Sequence, residues 1–335
     1  SGLSVCVLEE RPEIGGGQEN TEPMPGVSID PHATLLYAAA APGFEQLELW
    51  KYGFRMAWSP AVQRPGEIYR GGVLTTEGLI LPTQRDMEGL AKLFGMGTRY
   101  PFLKELLRAI YWCPPHPQDV EQTVDDIPWV QVLKEKAPEV WSESILEMSL
   151  FDLLDEFMET EALKVSFAGG AWYCGAAPHW EGMAIPSFGG IANVLYSRGI
   201  PRGGMHHYAH SIVRCAIAHG ARIRTCCPVD EIIIRNGRAA GVRLRDNAAW
   251  AEKTIWADKA VLSGVDVKKT FLELVGPSHT DPSFRQRIKD ISYKGGSIYV
   301  AHILLAEPPR WGPNFEARAD EPATGMVYPC DSREI

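Results

Sequence analysis

Some segments of the chain are continuous apolar runs, and others carry apolar residues at helical spacing. The order of these segments predicts interleaved strands and helices. Residues 4–9 contain a continuous apolar run, Val5 to Leu8, which is typical of a buried strand. Phe44 to Tyr52 carries apolar residues at helical spacing. The same spacing predicts further helices at residues 101–112, 128–137, 142–158 and 188–198.

Turn and cap residues mark where several of these elements begin or end. Residues 66–81 predict a two-strand ribbon that contains the turn residues Gly71–Gly72. Thr83 is followed three residues later by Asp86, which is the spacing of a capping box, and Gly95 suits the end of a helix. A helix is therefore predicted between Thr83 and Gly95.

The second half of the chain has the clearest pattern. Residues 204–219 predict a helix, and Arg222 to Thr225 predicts the strand that follows it. Asn236–Gly237 favours a type I′ turn, whose twist matches that of paired strands, so a hairpin is predicted around it. The strands predicted here are 231–234, 240–244, 254–257, a buried return strand at 260–262 and, in a separate sheet, 297–306.

The first apolar run ends in an acidic residue, Glu9. In a dinucleotide-binding βαβ unit the second strand ends in this way, about 20 residues after a glycine fingerprint, and its carboxylate accepts hydrogen bonds from ribose hydroxyls. Only Ser1, Gly2 and Leu3 precede the strand, and G-x-G-x-x-G occurs nowhere in the 335 residues. We therefore expect a fragment without the first strand, the phosphate loop and the first helix.

Two blocks of motifs carry a family resemblance. The first, Val5-x-Val-Leu-Glu-x-Arg-x-x-x-Gly-Gly16 followed by Ile29 to Leu36, resembles the start of the FAD-dependent phytoene desaturase-like oxidoreductases, which include the carotenoid desaturases and the animal pyridine nucleotide-disulfide oxidoreductase domain 2 type. The second follows in the family's order: Pro201–Met205, Gly220–Ile223, Pro228–Ile232, Asn236–Val242 and Lys259–Gly264. The closing glycine-rich flavin segment of the family is absent, so we expect truncation at this end too.

The resemblance implies an α/β fold with two interleaved domains. A Rossmann-like FAD-binding domain of the two-dinucleotide type, with a β-meander, would comprise residues 1–60 and 199–285. An α+β substrate domain would comprise residues 61–198 and 286–335. The implied reaction is hydride transfer from a small apolar substrate, with isoprenoids favoured, to FAD.

The resemblance also implies which residues approach the cofactor. Glu9 would accept hydrogen bonds from the ribose, and Arg11 would steady the ribose or pyrophosphate region. Gly15 and Gly16 would let the backbone pass close to FAD because glycine has no Cβ. The other candidates are Asp30 near the flavin ring, Val229 at the adenine edge, and Ser263 with Gly264 in the turn after the return strand. A surface role for Arg11 and a turn role for Asp30 remain alternatives.

Two other functions stay open, and the sequence identifies no catalytic acid or base. A flavin amine oxidase-like enzyme is the second candidate, and it would need an aromatic cage around the flavin. The third is a catalytically silent flavoprotein-like scaffold that binds other proteins. His206 and His210 share a helix face at positions i and i+4, yet no third metal ligand is evident from spacing, so no metal site is predicted.

Composition narrows the class of partner. A net charge of −9 gives nucleic-acid binding no electrostatic support. The seven cysteines form no C-x-x-C pair, which favours a reduced, intracellular protein. The uncharged runs at residues 165–180 and 182–197 are shorter than the ~18 residues of a spanning helix. We expect a cytoplasmic protein or one bound peripherally to a membrane; the oligomeric state is not predicted.

Overall fold

A computed structural model of the chain describes residues 2–37, 41–58, 73–75, 78–94, 100–117, 120–169, 175–293 and 300–307. The helices are α1 Pro42–Gln46, α2 Gln84–Phe94, α3 Tyr100–Tyr111, α4 Pro128–Lys136, α5 Leu150–Phe157, α6 Glu161–Ala168, α7 Ala184–Ser197, α8 Met205–Ala218 and α9 Pro282–Asp290. The strands are β1 Cys6–Leu8, β2 Thr21–Met24, β3 Val27–Ile29, β4 Leu36–Tyr37, β5 Met56–Trp58, β6 Val73–Thr75, β7 Gly78–Ile80, β8 Arg198–Pro201, β9 Arg222–Arg224, β10 Val229–Arg235, β11 Arg238–Leu244 and β12 Thr254–Trp256.

These elements form two compact units, each built from separated stretches of chain. The first unit takes its described residues from Ser1–Thr34, Leu49–Phe54 and Gly203–Lys294. The second takes its described residues from Leu35–Glu48, Arg55–Arg202 and Gly295–Ile335. The mixture of helices and strands agrees with the predicted α/β class, whereas the assignment of a FAD-binding and a substrate domain, with its boundaries, stays a prediction.

The first unit contains the parallel strand pair that the sequence predicts. β1 pairs in parallel with β9, with Cys6 opposite Arg222 and Leu8 opposite Arg224. A parallel pair requires a crossover connection, and α8 enters β9 directly. The prediction that these strands share one sheet is confirmed. The prediction that residues 4–9 are buried is wrong: Val5 and Val7 are 40% and 42% exposed.

The meander of the first unit also follows the sequence. β10, β11 and β12 form an antiparallel sheet in that order. Asn236 and Gly237 have φ angles of 51° and 73°, and this pair of positive values is what a type I′ turn requires. Ile232 and Val242 on the paired strands are buried together with Leu274. The hairpin and the third strand are therefore confirmed.

The predicted return strand is not formed. Residues 260–262 have no strand structure, and Leu262 is 95% exposed. Val261 alone reaches the apolar cluster beside Ile232. A strand persists only when a neighbour supplies backbone partners, and no strand of the described chain pairs with this segment.

The second unit has a helical core. Among the described residues, the 21 buried members of its main cluster lie mainly on α2 to α7, and Leu103, Leu106 and Leu153 are fully inaccessible to solvent. Three short strands, β4, β8 and β5, form an antiparallel sheet in that order, and β6 pairs with β7. Among the described helices, none has the length and apolar character to cross a membrane. No disulfide joins the described cysteines.

Capping explains where several helices begin. The predicted box at the start of α2 is confirmed, since the backbone N–H of Thr83 donates to Asp86 Oδ2 at 2.9 Å and the N–H of Asp86 donates to Thr83 Oγ1 at 3.2 Å. A second box, Ser149 with Asp152, starts α5 and breaks the single helix predicted over residues 142–158. Leu146 ends a separate 3₁₀ turn before it.

Three further predictions are wrong or concern residues that the structure does not describe. The helix predicted over residues 44–52 is interrupted at Glu48, whose φ of 45° is incompatible with a right-handed helix. Residues 300–306 form no strand, and 297–299 lie outside the described residues. In the ribbon, residues 73–75 pair with 78–80, while 66–72 and Gly95 lie outside the described residues.

Candidate functional site

Glu9 lies at the carboxyl end of β1, in the position that the sequence predicts for a ribose-binding carboxylate. Its backbone N–H donates to Arg224 O at 2.8 Å, and its carbonyl oxygen accepts from the N–H of Cys227 at 2.8 Å. Its side chain is half-buried, and Oε1 accepts from the N–H of Arg11 at 2.8 Å. Within the described residues Oε2 has no hydrogen-bond partner, so half of the carboxylate can accept from a ligand.

The two charged neighbours of Glu9 are held by ion pairs. Glu10 is exposed; its Oε1 lies 3.4 Å from Arg245 Nη1, and its Oε2 lies 3.4 Å from Lys269 Nζ. Arg11 is exposed and forms a 2.5 Å ion pair with Glu19. These contacts are compatible with the surface alternative for Arg11, and its cofactor role stays a prediction.

Gly15 and Gly16 form a bend against helix α8. Their φ angles are +117° and +54°, which residues with a side chain rarely adopt. A Cβ at Gly15 would lie 3.4 Å from His206 Nδ1 and 3.4 Å from Ala209 Cβ, whereas a Cβ at Gly16 would meet nothing within 4 Å. The bend therefore packs on α8 through one glycine and presents bare backbone outward through the other.

Asp30 caps helix α8 from a distant part of the sequence. Its Oδ1 accepts from the backbone N–H of Met205 at 3.0 Å, and Asn20 Oδ1 accepts from the N–H of His206 at 3.1 Å. The first N–H groups of a helix have no partner within the helix, and a carboxylate there also interacts favourably with the helix dipole. This is a structural role for Asp30 that the sequence does not reveal.

Val229 packs in the same apolar cluster as Leu8, the residue before Glu9, and the remaining two candidates lie elsewhere in the unit. Val229 begins β10 and packs with Leu8 around buried Cys227. Ser263 and Gly264 are exposed, and Ser263 Oγ lies 2.7 Å from Thr270 Oγ1. Because the return strand is not formed, Ser263 and Gly264 do not extend a strand beside β1, and their contact with a cofactor stays a prediction.

A cluster of three side chains lies beside the glycine bend. Glu13 Oε1 is 3.5 Å from His206 Nε2 and 3.4 Å from His210 Nε2, and the two Nε2 atoms are 2.7 Å apart. Burial lowers the pKa of His210, and the neighbouring His206 lowers it further, while Glu13 acts in the opposite direction. The sequence places the two histidines on one helix face but gives no signal for Glu13, which approaches them only through the fold.

Comparison with known proteins finds carotenoid desaturases among the relatives. A 210-residue segment is 33% identical to the hydroxyneurosporene desaturase of Cereibacter sphaeroides, and it covers 58% of this chain and 40% of that enzyme. A 150-residue segment is 26% identical to the zeta-carotene-forming phytoene desaturase of Myxococcus xanthus, covering 44% of this chain and 27% of that enzyme. No family model matches the chain.

The chain is related to the carotenoid desaturases. The matched segments span 40% and 27% of the length of these two relatives. A solved structure supports the fold: the PF1083 protein of Pyrococcus furiosus superposes with a TM-score of 0.51 over 86% of this chain and 59% of that protein, at 17% identity. The resemblance drawn from the two sequence blocks is thus confirmed at the level of homology.

The candidate site residues Glu9, Gly15, Asp30 and Val229 lie in one part of the molecule. Glu9 lies at the carboxyl end of β1, and Val229 packs in the same apolar cluster as the preceding Leu8. Gly15 and Asp30 both lie against α8. All belong to the first unit. The site residues that the sequence missed are Glu13 and Asn20. A contact partner so far away in the sequence has no local pattern from which to predict it.

Proposed function

We propose that the protein is a FAD-dependent oxidoreductase that takes hydride from an apolar isoprenoid substrate. One observation carries the proposal in a chain related to desaturases: a half-buried carboxylate, Glu9, ends a strand that runs parallel to β9. In dinucleotide-binding folds, ligands bind at the carboxyl ends of parallel strands, where an acidic side chain accepts from the ribose hydroxyls.

The described residues around Glu9 fit the adenosine portion of FAD. Glu9 Oε2 has no partner among the described residues and can accept a hydrogen bond from a ribose hydroxyl. The outward-facing backbone of Gly16 leaves room for close approach, since a Cβ there would meet nothing within 4 Å. Val229 packs in the same apolar cluster as Leu8, the residue before Glu9, and could offer backbone groups to the adenine edge without needing a particular side chain.

The chain's own part in the reaction is binding and orientation. When bound, FAD supplies the two-electron acceptor for the hydride. Glu9 would fix the ribose by charge-assisted hydrogen bonds, and the bend at Gly15 and Gly16 would set how near the backbone approaches. We assign no side chain as acid or base.

The substrate class follows from the relatives. The two related desaturases are named for hydroxyneurosporene and for phytoene with zeta-carotene. We extend this chemistry to the present protein as a polyene of isoprenoid type. A net charge of −9 also makes a polyanionic substrate unfavourable.

The experiment uses the protein at its natural length. It should purify with bound flavin, and anaerobic mixing with an acyclic carotene should bleach the flavin while chromatography detects a product with one more double bond. A flavin reduced by amines and not by carotenes would favour the amine oxidase-like alternative. A protein that neither binds FAD nor changes a carotene would refute the proposal and favour the scaffold alternative.

Glu9 provides a prediction at single-residue level. Glu9→Ala should weaken FAD binding about ten- to hundredfold, because a hydrogen bond to a charged group contributes about 1.5–3 kcal/mol. Glu10→Ala is the matched control, since Glu10 is exposed and held by Arg245 and Lys269. Flavin titration followed by fluorescence measures both. Equal losses, or a larger loss for Glu10→Ala, would show that Glu9 is not the ribose ligand.

A further inference from the structure

We propose that Glu13, His206 and His210 form a binding site for a divalent transition-metal ion, separate from the proposed flavin chemistry. The three candidate ligand atoms, Glu13 Oε1 and the two Nε2 atoms, all lie within 4.8 Å of one another. Two imidazoles and one carboxylate are ligands that suit Zn²⁺ and its neighbours in the first transition row, whereas Mg²⁺ and Ca²⁺ prefer sites made only of oxygen.

Two of the three distances between ligand atoms match those of a tetrahedral metal site. Metal–ligand bonds of about 2.0–2.1 Å at tetrahedral angles place two ligand atoms about 3.3–3.4 Å apart. The carboxylate oxygen lies 3.5 Å from His206 Nε2 and 3.4 Å from His210 Nε2. The two Nε2 atoms are closer, at 2.7 Å. Metal binding therefore requires a side-chain rotation that increases this distance by about 0.6 Å. In the metal-free protein this short contact is a hydrogen bond between the two rings.

The backbone holds the three ligands in place before any ion binds. His206 and His210 are one helical turn apart on α8, and their rings lie edge to face with centroids 4.3 Å apart. The first turn of α8 is fixed by Asn20, which accepts from the N–H of His206. Glu13 Oε1 accepts from the N–H of Ile14 at 3.2 Å, which orients the carboxylate toward the helix.

The surroundings set the strength of the site. The side chains of Glu13, His206 and His210 are 51%, 21% and 39% exposed, so an ion can enter from solvent and a water molecule can complete four-coordination. His206 Nδ1 is buried and has no hydrogen-bond partner among the described residues. Such partners typically contribute 10- to 100-fold to metal affinity, so we expect binding weaker than that of structural zinc sites.

A bound ion would join the glycine bend to helix α8. Glu13 precedes Gly15 and Gly16, and both histidines lie on the helix against which Gly15 packs. The ion would therefore restrain the same backbone that we propose for FAD. The proposed metal site does not depend on that function, because all three ligands are on the described chain and no flavin atom takes part.

The test is metal binding by tag-free, metal-stripped protein. Zn²⁺ titrated by calorimetry should bind at one equivalent per chain and raise Tm, and Co²⁺ should give the visible absorption bands of a four-coordinate ion with nitrogen and oxygen ligands. Glu13→Gln, His206→Ala and His210→Ala should each weaken binding by at least about tenfold. His207→Ala, on the same helix and outside the cluster, is the matched control and should bind normally.

Circular dichroism of the metal-free variants separates loss of ligand from loss of fold. If a histidine variant misfolds, Glu13→Gln decides alone, because Glu13 lies on an exposed loop and the substitution keeps its shape. Absence of stoichiometric Zn²⁺ binding by the wild-type protein would overturn the proposal. Unchanged affinity in the folded Glu13→Gln variant would do the same, because the ion would then bind elsewhere. Either result leaves the flavin proposal intact.

Discussion

At the scale of single residues, the capping side chain of Asp86 also connects two segments of the second unit by hydrogen bonds. It is fully buried, and its carboxylate accepts hydrogen bonds from Thr83 at the start of α2 and from the N–H groups of Glu159 and Thr160 at 2.8 and 3.1 Å. Burial alone would raise the pKa of Asp86, but the hydrogen bonds from Thr160, Thr83 and Glu159 outweigh it and lower the pKa to about 2. The charged form is therefore the one that stabilises the fold.

We expect the free energy of unfolding to depend on the protonation of Asp86. Because the folded pKa of Asp86 is below its ordinary value, its contribution is full above about pH 4 and is lost as the pH falls toward about 2. Asp86→Asn should lower the free energy of unfolding by about 2 kcal/mol at pH 7, and by much less at pH 2. Urea unfolding at both pH values measures the difference.

Asp126 supplies the control for Asp86. It forms the same type of capping box with Thr123, but it is exposed, and Asp126→Asn should change stability far less. If both variants lost the same stability at pH 7, or if the cost of Asp86→Asn did not change with pH, the buried hydrogen bonds of Asp86 would not be the cause.

At the scale of elements, the sequence predicts the position of a helix better than its interruptions. Ser149 and Asp152 have the spacing of a capping box, and this signal was available within the helix predicted over residues 142–158. The left-handed conformation of Glu48 had no such signal, because glutamate favours helices and only the path of the surrounding chain imposes that φ. Asn236–Gly237 was predictable because the turn type itself demands those residues.

The cap that Asp30 forms on helix α8 leads to a second prediction, which distinguishes a structural role of Asp30 from a role in binding the cofactor. Asp30→Ala should lower the free energy of unfolding by about 0.5–2 kcal/mol without any flavin present, because it removes the cap on the N–H of Met205. Asp30→Asn should keep most of that stability, since its amide oxygen can still accept. Thermal unfolding of the flavin-free protein measures both. If Asp30→Ala matched the wild-type protein, the cap would be energetically unimportant and the cofactor role would gain weight.

At the scale of the whole molecule, local patterns predict elements but not how the chain is divided between units. The helical spacing of residues 44–52 runs across a unit boundary, with Glu48 in the second unit and Leu49 in the first. Residues 260–262 have the apolar pattern of a strand, yet strand formation depends on a neighbour that local sequence does not specify. The proposed metal site cannot be predicted from local sequence for the same reason, because Glu13 contacts the histidines of α8 only in the folded chain.

The separate cores of the two units lead to a final prediction about cooperativity. Leu153 is fully buried in the helical core of the second unit, and Ile232 is buried beneath the meander of the first. Truncation of either side chain to alanine leaves a cavity, which typically costs about 2–5 kcal/mol. Because each core is made within its own unit, we expect each loss to be local.

Hydrogen exchange read by mass spectrometry can locate these losses. Leu153→Ala should speed amide exchange in α2, α3 and α5 by at least about thirtyfold, which corresponds to 2 kcal/mol, and should leave β10 to β12 unchanged. Ile232→Ala should have the opposite distribution. If either variant accelerated exchange equally in both sets of elements, the two units would open together as one cooperative structure, and the division of the chain into two separately stable bodies would be wrong.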